Sequence, residues 1–153
     1  MTILGGPRTL GEVALSLDTS AYSVGDVLSN TVELANVFRR SGIGGIVTSV
    51  TVIDADDQGQ SLDLVFLDSN VSLGTRNAAP TISDADALSI IGQIHINTGH
   101  YIDMGGVQVA YSPNLFVPVA VATGTSLYLS AISRGVGTYT STGLTVRLGI
   151  DFY

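Results

Sequence analysis

The sequence predicts an all-β fold: a jelly-roll-like antiparallel β-sandwich with one short helix. Three observations predict it. The closing run alternates without a break, with Leu144, Val146, Leu148, Ile150 and Phe152 on one parity and Thr145, Arg147, Gly149, Asp151 and Tyr153 on the other. Such period-two alternation marks a strand with one buried face. Roughly eight to ten short runs of this kind recur, at the spacing of a sandwich or jelly roll. A single stretch, S-D-A-D-A-L-S-I-I-G from Ser83, carries helix signals.

Residues 1–11, with Gly5, Gly6, Pro7 and Gly11, read as a flexible N-terminal arm that orders against a partner. Residues 12–153 read as one β-sandwich domain. Glu12–Leu17 is the first predicted strand, with Val13, Leu15 and Leu17 on one face. The loop D-T-S-A-Y-S-V-G-D follows. Asn30–Phe38 reads as a strand through Thr31-Val32-Glu33-Leu34, although Leu34–Phe38 also fits a helical turn. Ile46–Leu67 reads as two antiparallel strands joined by an acidic tip, D-A-D-D-Q-G-Q-S, that faces water.

Asp68–Pro80 is a long polar loop. Ser83 can cap the helix, and Asp84 and Asp86 sit in its first turn, where the helix dipole favours negative charge. Leu88 and Ile91 are its expected buried side and Gly92 its stop. Ile94 and Ile96 then point inward, Gln93 and His95 outward. Short strands follow at His100–Met104 and around Val107, Val109 and Tyr111. Leu115, Val117, Val119 and Val121 alternate, with Pro118 on the other parity. A proline cannot donate to the ladder, so this is an edge strand or a bulge. Ser126–Ser133 precedes the last strand, which pins the C-terminus in a sheet.

Composition narrows the function classes. Thirteen acids face six bases, for a net charge of −7, and all six bases are Arg. Phosphate-backbone binding relies on clustered Lys and Arg, so no nucleic-acid partner is expected. No run approaches the ~18 apolar residues of a membrane helix, and the N-terminus lacks the pattern of a secretory signal. With no Cys there is no disulfide and no thiolate metal site. Charged residues make up 12% of the chain, so much of the surface is neutral. That fits either a small neutral-surfaced domain or a subunit whose faces are covered by neighbours.

No motif marks an enzyme. Asp54-Ala55-Asp56-Asp57-Gln58-Gly59 opens like an EF-hand calcium loop, but its twelfth position is Val65 rather than Glu, and its flanks are strands. A solvated tip is the better reading. His95, His100 and Asp103 lack helical ligand spacing, and both histidines read as surface or interface residues. Asp84 and Asp86 resemble a glycosidase carboxylate pair, yet helix capping explains both. There is no G-x-S-x-G, and Gly42, Gly44 and Gly45 lack the Lys of a P-loop. No catalytic residue, metal or cofactor is expected. Arg39-Arg40 is the one basic pair, read as a solvated turn or as a contact with an acidic neighbour.

Two stretches carry a family resemblance: L-D-T-S-A-Y-S-V-G-D-V-L-S-N (Leu17–Asn30), and V-T-V-I-D-A-D-D-Q-G-Q-S-L-D-L-V-F-L-D-S-N-V-S-L-G-T-R-N-A-A-P-T-I-S-D-A-D-A (Val50–Ala87). The chain resembles the capsid decoration, or cement, proteins of tailed bacteriophages, which are encoded beside the major capsid protein. In outline the likeness extends from about Leu15 to L-T-V-R-L-G (Leu144–Gly149). It implies a non-enzymatic protein made in the host cytoplasm and carried on the outer surface of the virion head. There it clamps neighbouring capsomers. The implied partners are the major capsid protein and further copies of itself, as a homotrimer or a dimer, with no nucleic acid and no membrane. Thr2, Ile3, Leu4, Arg8, Arg39 and Arg40 are the expected capsid or inter-subunit contacts. A receptor- or glycan-binding module of a head fibre or tail is the alternative, with Tyr22, Tyr101, Tyr111, Tyr128 and Tyr139 as candidate contacts.

Overall fold

The computed structural model describes residues 8–152, with side chains from Leu10 onward. Among them, eleven strands form two antiparallel sheets. The strands are β1 (Arg8–Ala14), β2 (Ser16–Leu17), β3 (Val27–Leu34), β4 (Gly44–Asp54), β5 (Leu62–Leu67), β6 (Ile90–Ile96), β7 (Tyr101–Asp103), β8 (Gln108–Ser112), β9 (Val117–Ala120), β10 (Leu127–Ser133) and β11 (Leu144–Phe152). A one-turn helix, α1 (Asp84–Ala87), precedes β6.

Sheet A runs β1-β11-β4-β8-β7, with β9 also paired to β4; sheet B runs β2-β3-β10-β5-β6. The first strand pairs with the last, and the chain crosses between sheets after β1, β3, β4, β6, β9 and β10. This is the nested Greek-key path of a jelly roll, so the predicted fold class holds.

The inward parity of β11 and β4 (Leu144, Val146, Leu148, Ile150; Val47, Val50, Val52) packs against Leu62, Leu64, Phe66, Ile94, Ile96, Leu127, Leu129 and Ala131 of sheet B. Gly92 stands opposite Phe66 in the ladder, and a Cβ there would meet Val117 Cγ1 at 2.9 Å and Phe66 Cδ2 at 3.4 Å. The Phe66 ring and Val117 therefore fill the space that Gly92 leaves.

Several sequence expectations change, among them the Asn30–Phe38 strand, which is β3 over Val27–Leu34. The Ile46–Leu67 stretch does hold two strands, but they do not pair with each other. β4 lies between β11 and β8 in sheet A, and β5 lies between β10 and β6 in sheet B. Alternation fixes which face of a strand is buried, not which sheet receives it.

The first strand begins at Arg8 rather than Glu12, running in register from Arg8 opposite Asp151 to Ala14 opposite Thr145. Gly11 hides the pattern: it is an inward position, where a Cβ would meet Leu34 Cδ2 at 2.8 Å. The rest of the expected arm, residues 1–7, lies outside the described residues.

The helix is a single turn. Ser83 caps it by accepting from the Asp86 N–H, as expected, but it ends at Ala87, buries no residue, and leaves Leu88 84% exposed. Ile91 packs on the core from strand β6 instead.

The loop after β5 is long, as expected, but not merely polar. It lays Val71, Leu73 and Ile82 over Val27, Val65, Leu67 and Ile132 on the outer side of sheet B. The Thr31 hydroxyl donates to the Val71 carbonyl at 2.5 Å and ties it down. Pro118 behaves as predicted. Among the described residues β9 pairs with β4 alone, and the residues between β8 and β9 bulge out opposite Thr48 and Ser49.

Candidate functional site

The acidic tip between β4 and β5 is a structural knot rather than a solvated turn. Asp54 is fully buried, and its carboxylate accepts backbone N–H groups of Asp56 (3.0 Å), Gln58 (2.9 Å) and Gly59 (2.7 Å). Burial pushes its pKa above the usual carboxylate value, and those N–H groups only partly offset the shift. Gly59 takes a positive φ of 57°, which lets the chain close around the carboxylate.

The next side chains stitch this loop to the one before β11. The Asp56 carboxylate accepts from the Thr140 N–H, Gln58 Oε1 from the Thr138 N–H and Gln60 Oε1 from the Val136 N–H, at 2.8, 3.1 and 3.4 Å. Every second side chain of one loop thus meets every second N–H of the other, as a strand partner would. Gly143 leaves room for the Asp56 carboxylate; a Cβ there would run into it.

Two more loops join this end. The Tyr101 hydroxyl donates to the Gln60 carbonyl at 3.0 Å. The Tyr22 N–H donates to the Gly137 carbonyl at 3.0 Å, and the Tyr22 hydroxyl to the Leu28 carbonyl at 2.8 Å. The rings of Tyr22 and Tyr139 lie 6.0 Å apart, tilted by 60°. Burial raises the phenol pKa of Tyr22, Tyr101 and Tyr139. This donor arrangement does not fit a calcium loop, because the oxygens of Asp54 are already engaged by the backbone.

The histidines are not brought together as ligands. His95 Nδ1 lies 2.5 Å from Asp63 Oδ1 on the outer side of sheet B, and Arg134 Nε donates to Asp63 Oδ2 at 2.6 Å. Burial opposes charge on Asp63, but the bonds from His95 and Arg134 prevail and hold its pKa below the usual value. His100 accepts the Asn97 N–H at Nδ1 within the capping box of a 3-10 turn, Thr98–His100. Among the described residues, no three His, Asp or Glu side chains gather as a metal site. Asp84 and Asp86 stand in the capped turn.

Of the expected contact residues, Thr2, Ile3 and Leu4 lie outside the described residues. Arg8 opens β1 opposite Asp151. Arg39 and Arg40 are exposed, and the Arg39 guanidinium carbon lies 5.5 Å from the centroid of the Phe152 ring. Backbone position and stacking thus bring Arg8 and Arg39 to the same end of the sandwich, where β11 ends, away from the stitched loops.

The feature that sequence reading missed is the outer face of sheet A. Sheet B covers much of its outer side with its own loop; sheet A has no such cover among the described residues. Its outward positions form cross-strand rows. One holds Ile102, Val109, Ile53 and Thr145, the next Tyr111, Thr51, Arg147 and Glu12. Ile46 and Pro118 stand opposite each other further along.

Leu10, Ile102, Tyr111 and Phe116 on or beside this face are 67%, 60%, 54% and 74% exposed. Beside Tyr111, the bulge Pro113–Phe116 and residues Thr48 and Ser49 enclose a groove of about 490 Å³. Asn114 in that bulge takes a φ of 59°. An ion pair on the face joins Arg147 Nε to Glu12 Oε2 at 2.5 Å. Alternation contained part of the signal: Ile53 is apolar on the parity opposite to Val50 and Val52, whereas Ile46 shares their parity and faces outward because the register shifts between Val47 and Ser49.

Of the tyrosines named as candidate contacts, Tyr22 and Tyr139 are core residues, Tyr101 and Tyr128 are half-buried, and Tyr111 is open. No protein-family model matches the chain, and no curated protein sequence matches it.

Proposed function

We propose that the chain is a non-enzymatic decoration protein that binds the outer surface of a tailed-phage head and holds neighbouring capsomers together. The resemblance of Leu17–Asn30 and Val50–Ala87 supplies the reading. The observation that best supports it is the division of the molecule into a stitched body at one end and an open end that presents Arg39 and Arg40. Asp54, Asp56, Gln58 and Gln60 tie loops together at one end, so load on the sandwich passes through hydrogen bonds rather than slack chain. Arg39 and Arg40 stand exposed at the opposite end, where a guanidinium can engage carboxylates of the major capsid protein bidentately. Many weak attachments across a repeating lattice add up through multivalency.

Heads carrying the protein are expected to survive higher temperature and lower salt than heads from which it has been deleted. Adding purified protein back should restore that resistance. Equal survival of the two kinds of head would remove the cementing role.

One observation favours a second reading, a glycan-binding module. Tyr111 and Phe116 are open aromatics beside a neutral groove that also presents Thr48, Ser49 and Asn114. Saccharides stack apolar ring faces on aromatics and hydrogen-bond to hydroxyls and amides. Glycan-array binding that disappears in Phe116→Ala would favour this reading over head attachment.

A further inference from the structure

We infer that the outer face of sheet A pairs with the same face of a second copy of this chain. This pairing does not depend on attachment to a phage head. Charge singles out the occupant. At a net charge of −7 the chain repels its own copy over most orientations. The sheet A face is the exception. Its charged side chains among the described residues are Glu12 and Arg147, which form an ion pair, and Asp151 near the end of β11. The middle of the face is therefore neutral, and a twofold axis lying in its plane brings neutral surface onto neutral surface.

The other outward positions include Leu10, Ile46, Thr51, Ile53, Val109, Tyr111, Pro118 and Thr145, with Ile102 at the β7 edge. Isoleucines and a tyrosine across one face suit the dry centre of an isologous interface.

Size agrees. The strands of sheet A hold 39 residues, which at ~3.3 Å per residue and a spacing of ~4.8 Å span about 620 Å² per copy, or about 1,240 Å² for the pair, at the lower end of the range of specific interfaces. Sheet B is a poor alternative, because its own loop covers the apolar part and Asp63, His95 and Arg134 occupy an exposed part. Of the homotrimer and the dimer expected from the family resemblance, this pairing is the dimer.

Light scattering on the full chain is expected to give twice the 15.8 kDa of one chain at micromolar concentration. Tyr111→Glu and Ile102→Glu place a carboxylate at exposed positions on each side of the interface. Each should halve that mass and leave the far-ultraviolet circular dichroism unchanged. Because the chain has no Cys, single-Cys reporters are clean. Thr51→Cys should cross-link into pairs with a bis-maleimide of about 10 Å reach, the distance between packed sheets, and Gln93→Cys on sheet B should not. A single-chain mass for the unmodified protein would overturn the pairing. So would an oligomer whose mass neither glutamate changes, or equal cross-linking at both reporters. A monomer that binds shell protein or saccharide through this face would likewise assign it to that occupant.

Discussion

Asp54→Ala is expected to cost about 3–5 kcal/mol of unfolding free energy, because it leaves three backbone N–H groups without their acceptor in a buried loop. For a domain of this size that corresponds to a fall of about 10 °C in melting temperature. The loss should spread beyond the site. The Asp54 carboxylate shapes the turn from which Asp56, Gln58 and Gln60 reach Thr140, Thr138 and Val136. Hydrogen exchange should therefore quicken at those three amides as well as at Asp56, Gln58 and Gly59.

Asp54→Asn separates shape from charge. The folded carboxyl pKa is raised by burial, so folding favours its protonated form. The stability from that proton is fully present below the unfolded value near 3.8 and is lost as pH rises through the raised folded value. The unmodified protein should thus gain on the Asn variant as pH falls from 7 toward 4. Denaturant titrations across that range check the sign. A gap between the two that ignores pH would mean that Asp54 acts by geometry alone.

Phe66→Ala is expected to cost about 3–5 kcal/mol, the usual range for a buried phenylalanine. The upper half applies here because the site cannot collapse. Phe66 is fully buried, its cross-strand neighbours are Leu129 and Gly92, and Gly92 has no side chain to move into the gap. Phe66→Leu should recover more than half of the loss, since it keeps most of the volume. Urea denaturation with an unchanged slope would locate the effect in the folded state.

Sequence alone revealed the strands that bury one parity and expose the other. β11 and β10 lie where the alternation of Leu, Val and Ile puts them; β6 takes in Ile90 and Ile91, which read as helix, and Ile94 and Ile96 point inward as read. What stayed hidden was long-range. The pattern of Ile46–Leu67 is the same for a hairpin as for a crossing between sheets, and only the full pairing decides. Asp54 looked solvated because its partners are backbone N–H groups, which leave no trace in residue types. Leu73 and Ile82 sit among polar neighbours without period, so their role as a lid on sheet B could not be read locally.

The candidate surfaces were legible in part. Arg39 and Arg40 stand exposed as a basic pair should. The open face of sheet A needs three strands side by side before Ile102, Val109 and Ile53 become a row.

Attachment to a phage head is the central claim, and electron cryo-microscopy of purified particles encoding this protein tests it most directly. The account predicts sandwich-shaped density above the shell, with the Arg39 and Arg40 end toward the capsomers. Particles with bare shells, or with this density confined to the tail, would contradict it.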